Sequence, residues 1–280
     1  MSVYIVCEGG INANGSRDLA LDMIKMAADC GANAIKWQKR TISEVYSEEE
    51  LNKPRASPWG TTTREQKEGL EFSKRDYDVM WAYAKSLGLD FFASAWDSKS
   101  LQFLEDYQPK YHKIASAMAT NLEFCKEVAH YGRHTLISTG MCVGEDIDNV
   151  VEIFMDQECE FTLMHTVSLY PCPPMYCNLK KIQTLAEEYS CEVGYSDHSS
   201  TVWIPPIAVA LGAKVIEVHI TLSRTMYGSD QAASLERGGL ERVVQWCNLT
   251  ADQLLGHGKL ILAPGEKAVA SKLRYWRENG

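Results

Sequence analysis

Short apolar or β-branched runs alternate with longer amphipathic stretches along the chain, and the alternation repeats eight times. The runs predict strands at 3–8, 34–38, 90–94, 111–115, 134–139, 161–166, 192–196 and 214–219. Between them, apolar positions recur at helical spacing and predict helices at 17–30, 74–87, 98–106, 122–131, 145–155, 179–189, a segment ending near Leu211, and 240–254. Gly31, Gly88 and Gly212 follow three of these helices, at the position where a left-handed residue commonly closes one. Pro205 and Pro206 require the seventh helix to begin at or just before them, or to kink there. The stretch 41–72, polar and broken by Pro54, Pro58 and Gly60, reads as an irregular insertion after the second strand, long enough for a binding loop or lid.

Eight βα units in 280 residues predict a single-domain (β/α)8 TIM barrel spanning 1–280, with its active site at the C-terminal ends of the strands. A doubly wound open sheet is the alternative. It normally carries a Gly-rich phosphate turn, which residues 8–15 do not match.

Composition narrows the function classes. With 45% hydrophobic and 23% charged residues the chain is an ordinary globular one, and a net charge of -9 without a basic tract argues against nucleic acid. No apolar run reaches the roughly 18 residues of a membrane span, and no basic leader precedes the first one, so a cytoplasmic protein is expected. The nine cysteines are odd in number and form no CxxC pair, as expected of free thiols in a reducing compartment. Cys172 and Cys177, the closest two, are either loop packing or a redox or metal pair.

The strand ends carry a concentrated polar set: Glu8, Lys36, Gln38, Ser94, Asp97, Lys113, Ser116, Ser138, Thr139, His165, Ser168, Ser196, Asp197, His198, Glu217 and His219. Side chains alternate along a strand, so Lys36 shares a face with Gln38, and Glu217 with His219, while Val218 points away. His198 and His219 end the last two strands, where they either bind one divalent metal (Mn²⁺, Fe²⁺, Co²⁺ or Zn²⁺) or are histidines satisfied by hydrogen bonds. Lys36 and Lys113 with Ser116, Ser138 and Ser196 suit a phosphate or carboxylate, although lysines paired with Glu8 or Glu217 for structure alone fit the same pattern. His165 is a site residue or a core histidine, and Asp197 either orients a ligand histidine or caps the seventh helix.

Several segments together resemble the sialic acid synthase family. They are CEGGINANG at 7–15, similar to AEIGxNHxG; GANAIKWQ at 31–38, similar to GADAVKFQ; KIASA at 113–117, similar to KIxSxx; and STGM at 138–141. HTVSLYP at 165–171, GYSDH at 194–198 and LGAKVIEVH at 211–219 resemble HCTSxYP, GxSDH and LGAxxIEKH. The resemblance implies condensation of phosphoenolpyruvate with an N-acyl amino sugar, N-acetylmannosamine or a relative, to a nonulosonic acid and phosphate. It makes His198 and His219 ligands of a divalent metal, Mn²⁺ above all, with Mg²⁺, Co²⁺ or Fe²⁺ as alternatives. It gives Lys36, Lys113, Ser116, Ser138 and Ser196 to phosphoenolpyruvate. Glu8, Glu217 and Asp230 become the expected catalytic carboxylates, and Gln38, Ser168 and Tyr170 the remaining substrate contacts.

The chain also departs from the family's pattern. GSDQ at 228–231 stands where the family has GPDH, and Val218 and Ile220 replace the lysine and phenylalanine of EKHF. The resemblance covers the barrel without the small C-terminal antifreeze-like domain that caps the sugar pocket across a dimer. A homodimer is one expected assembly. The insertion, with Arg55, Trp59 and Arg64, is expected to take over part of that cap. Two competing functions stay open: a metal-dependent hydrolase or aldolase on the same barrel, and a silent phosphoenolpyruvate-binding protein, for which Gln231 is one motive.

Overall fold

The structure is a computed structural model that describes residues 3–274 and 276. Eight parallel strands close into a barrel: β1 (Tyr4–Gly10), β2 (Ala34–Lys39), β3 (Asp90–Ala95), β4 (His112–Ile114), β5 (Thr135–Ser138), β6 (Phe161–Thr166), β7 (Glu192–Asp197) and β8 (Val215–His219). Each is followed by its helix: α1 (Arg17–Asp29), α2 (Lys74–Ser86), α3 (Ser98–Glu105), α4 (Leu122–His130), α5 (Gly144–Asp156), α6 (Lys181–Tyr189), α7 (Ile204–Ala210) and α8 (Arg237–Leu249). The open-sheet alternative is excluded, because β1 pairs with β8 as well as with β2. Pro205 and Pro206 sit in the first turn of α7, where their missing N–H groups cost nothing. None of the helices among the described residues is long and apolar enough to cross a membrane.

Strand alternation sorts the side chains into layers. Val6, Ala34, Phe92, Leu136, Met164 and Val215 fill the barrel interior as an apolar plug. One pleat further toward the C-terminal end, the same face carries Glu8, Lys36, Ser94, Lys113, Ser138, Thr166, Ser196 and Glu217, all buried. The opposite faces, with Ile5, Ile35, Phe91, Ile137, Leu163, Val193, Ile216 and Val218, pack under the helices in the larger apolar cluster. The plug needs a glycine at 194, because a Cβ there would lie 2.4 Å from Met164 Sδ and 2.7 Å from the Val215 carbonyl.

The stretch 41–72 is not the irregular loop expected. It folds into two short helices (Ile42–Val45 and Glu48–Leu51), an antiparallel hairpin (Pro54–Ser57 with Gly60–Thr62) and a helix (Thr63–Leu70). Thr62 and Glu65 cap that last helix reciprocally, each side chain accepting from the other's backbone N–H. Trp59 lies across Gly69, where any side chain would collide with its ring. The unit docks on the loop after β1, since a Cβ at Gly15 would come within 2.1 Å of the Gly69 carbonyl oxygen.

Candidate active site

The site begins at the barrel seam. Glu8 stands opposite His219 across the β1–β8 pairing and opposite Lys36 across β1–β2. Lys36 Nζ approaches Glu8 Oε2 at 2.7 Å and Glu217 Oε1 at 3.4 Å, and it donates to Ser94 Oγ at 3.1 Å. Lys113 Nζ lies 3.1 Å from Glu217 Oε2, a second buried ion pair. Gln38 donates to Glu8 Oε1 at 3.0 Å, and Ser196 to Glu217 Oε1 at 3.2 Å. Two cations thus face two carboxylates in a quartet almost closed to solvent.

The quartet sets the charge states. Burial works against Glu217 ionisation, but the two lysines outweigh it and hold the carboxyl down to about 2. Burial also opposes the charge on Lys36, where Glu217 and Glu8 prevail and keep its pKa above the ordinary lysine value. Lys113 goes the other way, lowered by full burial and by repulsion from Lys36 despite Glu217.

His198 and His219 meet beside the quartet, ring centroids 5.2 Å apart at 73°. His198 Nδ1 lies 2.8 Å from the Val167 carbonyl and must donate to it, which leaves the Nε2 lone pair unshared. Burial, then repulsion from His219, pushes His198 down to about 3, so the imidazole is neutral. His219 Nδ1 is buried without a hydrogen-bond partner, 3.8 Å from Asp230 Oδ2. Tyr170 stacks on His198 at 4.0 Å and meets His219 edge-on. No group of three or more His, Cys, Asp or Glu side chains among the described residues is arranged as a metal cage.

The quartet, Gln38, Ser94, Ser196, both histidines and Tyr170 line one cavity of about 270 Å³, together with Ser116, Ser138, Ser168, Trp96, Met141 and Thr166, while Asp230 does not. Gly140 lets the serines converge, because a Cβ there would fall 2.4 Å from Ser168 Oγ and 2.7 Å from Ser116 Oγ. Twelve of the thirteen sequence-selected site residues are therefore brought together, and Asp230 stands just outside, on the loop after β8. Trp96, Met141 and Thr166 were not singled out. Thr166 ends a strand on the inward face and was accessible to the alternation argument, while Trp96 and Met141 lie in loops beyond it.

Other candidates have structural roles. His165 Nε2 is bonded to the Cys177 carbonyl at 2.8 Å, a satisfied core histidine. Asp197 accepts from Ser199 N and Oγ and from Tyr195, so it neither orients His198 nor caps α7. Asp97 caps α3 through Ser100 and holds Thr41 N. Cys172 and Cys177 sit 3.9 Å apart as buried thiols, and all nine cysteines are free. Arg64 does not face the cavity but pairs with Glu48 at 2.6 Å and Glu68 at 3.7 Å.

The departure at Gln231 is also structural. Its buried amide donates to the Asn12 and Tyr227 carbonyls and accepts from Thr221 Oγ1. Asn12 bonds Ile220 O and Ser234 Oγ, and Asn14 bonds Tyr227 O. The asparagines of the opening motif and Gln231 thereby join the loop after β1 to the loop after β8, over the barrel seam.

The fold and site define a barrel enzyme with a buried lysine–glutamate quartet beside two facing histidines. Residues 23–259 match the model of the NeuB family, and the chain belongs to that family. It is 36% identical over 273 residues, 96% of this chain and 76% of the relative, to N-acetylneuraminate-9-phosphate synthase of Homo sapiens. It is 32% identical to N,N'-diacetyllegionaminic acid synthase of Legionella pneumophila, covering 98% of this chain and 79% of that one. N-acetylneuraminic acid synthetase from Leptospira borgpetersenii, solved in complex with citrate, superposes with a TM-score of 0.86 at 33% identity, covering 98% and 93% of the two chains. A truncated 3-deoxy-D-arabino-heptulosonate 7-phosphate synthase from Thermotoga maritima shares the fold alone, at 14% identity and a TM-score of 0.68.

Proposed function

We propose that this protein condenses phosphoenolpyruvate with an open-chain N-acyl amino sugar, N-acetylmannosamine or a close relative, to give a nonulosonic acid and phosphate. The carrying observation is the buried quartet, two lysines against two carboxylates, with Ser116, Ser138 and Ser168 lining the same cavity. Such a set suits a small, multiply anionic ligand. The names of the relatives, acid synthases in both animals and bacteria, support the same reaction class.

Quartet charges cancel, so a phosphoenolpyruvate anion calls for further positive charge in a buried site. His198 and His219 fit a divalent cation for this purpose, Mn²⁺ above all: one offers a free Nε2 lone pair and the other has an orphaned buried nitrogen. When bound, the cation supplies Lewis acidity at a carbonyl oxygen. The chain's own groups do the rest. Lys36 and Lys113 hold the phosphate and carboxylate of phosphoenolpyruvate so that its C3 meets the sugar aldehyde carbon, where the new C–C bond forms. The former aldehyde oxygen takes up a proton as the new hydroxyl, a water oxygen adds at C2, and the bond from C2 to the phosphate oxygen breaks, releasing phosphate and leaving C2 as the ketone once the added hydroxyl gives up its proton. Glu8, held by Lys36 and Gln38, is placed to take the proton of that water. Tyr170, against both imidazoles, gives the acceptor an aromatic wall.

The test supplies phosphoenolpyruvate, Mn²⁺ and a panel of N-acyl mannosamines, with and without 6-phosphate, and reads phosphate release and product mass. A product heavier than its sugar by one pyruvyl unit supports the reading, and loss of turnover on chelation supports the metal. Turnover of a sugar without phosphoenolpyruvate would instead establish a hydrolase or aldolase.

A further inference from the structure

Arg40 touches no substrate position and belongs to none of the recognised motifs, yet it is nearly buried at the edge of the cavity, its side chain 11% exposed. Its guanidinium lies 4.4 Å over the ring of Trp96, which lines the cavity. Arg40 Nη2 donates to Gln38 Oε1, and Gln38 Nε2 donates to Glu8 Oε1. An arginine only donates and an ionised carboxylate only accepts, so Gln38 has one permitted amide orientation between them. Behind Arg40 stands Glu71, at the end of the insertion's last helix. It accepts from Arg40 N at 3.2 Å and from Lys39 Nζ at 2.9 Å, and approaches Arg40 Nη1 at 3.6 Å.

We infer that Arg40 is a positioning residue for the reaction: it locks the Gln38 amide so that Gln38 holds Glu8 in its reactive orientation, and Glu71 anchors it from the insertion. This rests on the role proposed for Glu8. Without Arg40 the amide keeps its preference for pointing Nε2 at the carboxylate but loses the anchor on its oxygen, so Gln38 no longer holds Glu8 in one place. Glu8 keeps Lys36, so phosphoenolpyruvate still binds while the orientation of the proton acceptor is lost. The insertion therefore reaches the chemistry through a chain of polar contacts, Glu71 to Arg40 to Gln38 to Glu8.

The experiment compares the natural protein with Arg40→Met, Arg40→Lys and Glu71→Gln, alone and in a Gln38→Met background. Expected for Arg40→Met is a kcat lower by roughly tenfold to a hundredfold, with the KM for phosphoenolpyruvate changed by no more than about twofold. Arg40→Lys restores a donor to Gln38 and recovers most of kcat, while Glu71→Gln gives a smaller loss of the same kind and serves if Arg40→Met does not fold. In the Gln38→Met background the Arg40 substitution should add little. A wild-type kcat in Arg40→Met, or an undiminished loss without Gln38, overturns the inference. If the natural protein does not turn over phosphoenolpyruvate, the proposed reaction falls instead. The crystal structure of Arg40→Met then decides: Gln38 Nε2 still 3.0 Å from Glu8 Oε1 overturns the positioning role, and a displaced amide supports it.

Discussion

Lys113 and Glu217 are buried together, so each substitution has two consequences that can be separated. Removing the ammonium in Lys113→Met leaves Glu217 with less compensation and should cost about 3–5 kcal/mol of stability. It should also weaken phosphoenolpyruvate binding by at least roughly tenfold. The double variant Lys113→Met/Glu217→Gln should regain much of the stability and none of the affinity, as read by urea unfolding and calorimetry. A double variant that binds normally would remove Lys113 from the anion site. Glu217 also sets an acid limit. Its folded pKa is depressed to about 2, so its stabilising contribution is complete above the ordinary carboxylate pKa and is lost as pH falls toward 2. That contribution is on the order of 3 kcal/mol. Carbon NMR of the carboxyl should place its midpoint near 2, and a midpoint near 4.5 would refute the quartet's electrostatics. Most of these residues were legible beforehand because strand alternation is strict: once the end of β1 or β8 is located, the inward side chains follow. Arg40 was not, because its importance lies in a contact to Gln38 that no periodicity encodes.

At the scale of elements, strands and helices of the barrel were visible because each buries a continuous apolar stripe; most boundaries moved by one or two residues, and those of α8 by three at its start and five at its end. The insertion was misread for the opposite reason. Its first two helices, of four residues each, and its hairpin strands of four and three are shorter than a periodicity window can register, although the Thr62–Glu65 capping pattern of its eight-residue last helix was present in the sequence. Its placement yields a different prediction from a free lid. Trp59 meets Tyr227 edge-on at 5.6 Å, and Tyr227 belongs to the loop that carries Asp230. Trp59→Ala should loosen that loop and raise the KM for the sugar several-fold more than the KM for phosphoenolpyruvate, whose proposed lysine contacts, Lys36 and Lys113, stand on strands. Equal changes in both constants would disconnect the insertion from the acceptor side.

For the whole molecule, the decisive feature is that the site straddles the barrel seam. Glu8 and Lys36 come from the first two strands and Glu217 and His219 from the last, so the quartet exists only when the two ends of the barrel are paired. Closure is reinforced above the site by Asn12, Asn14 and Gln231, and below it by the apolar plug. A ligand held between Lys36 and Lys113, with serines from β5 and β7, would tie strands on both sides of that seam. Phosphoenolpyruvate should therefore stabilise the entire barrel, by about 2.7 kcal/mol at a hundredfold excess over its dissociation constant. Hydrogen exchange gives the spatial test. If the barrel opens as one cooperative unit, slowing should reach the amides of β1 and β8 as strongly as those of β4, far from any direct contact with the loops. Protection confined to the loops at the mouth would mean that the ligand orders only the surface and that the seam opens independently of the site.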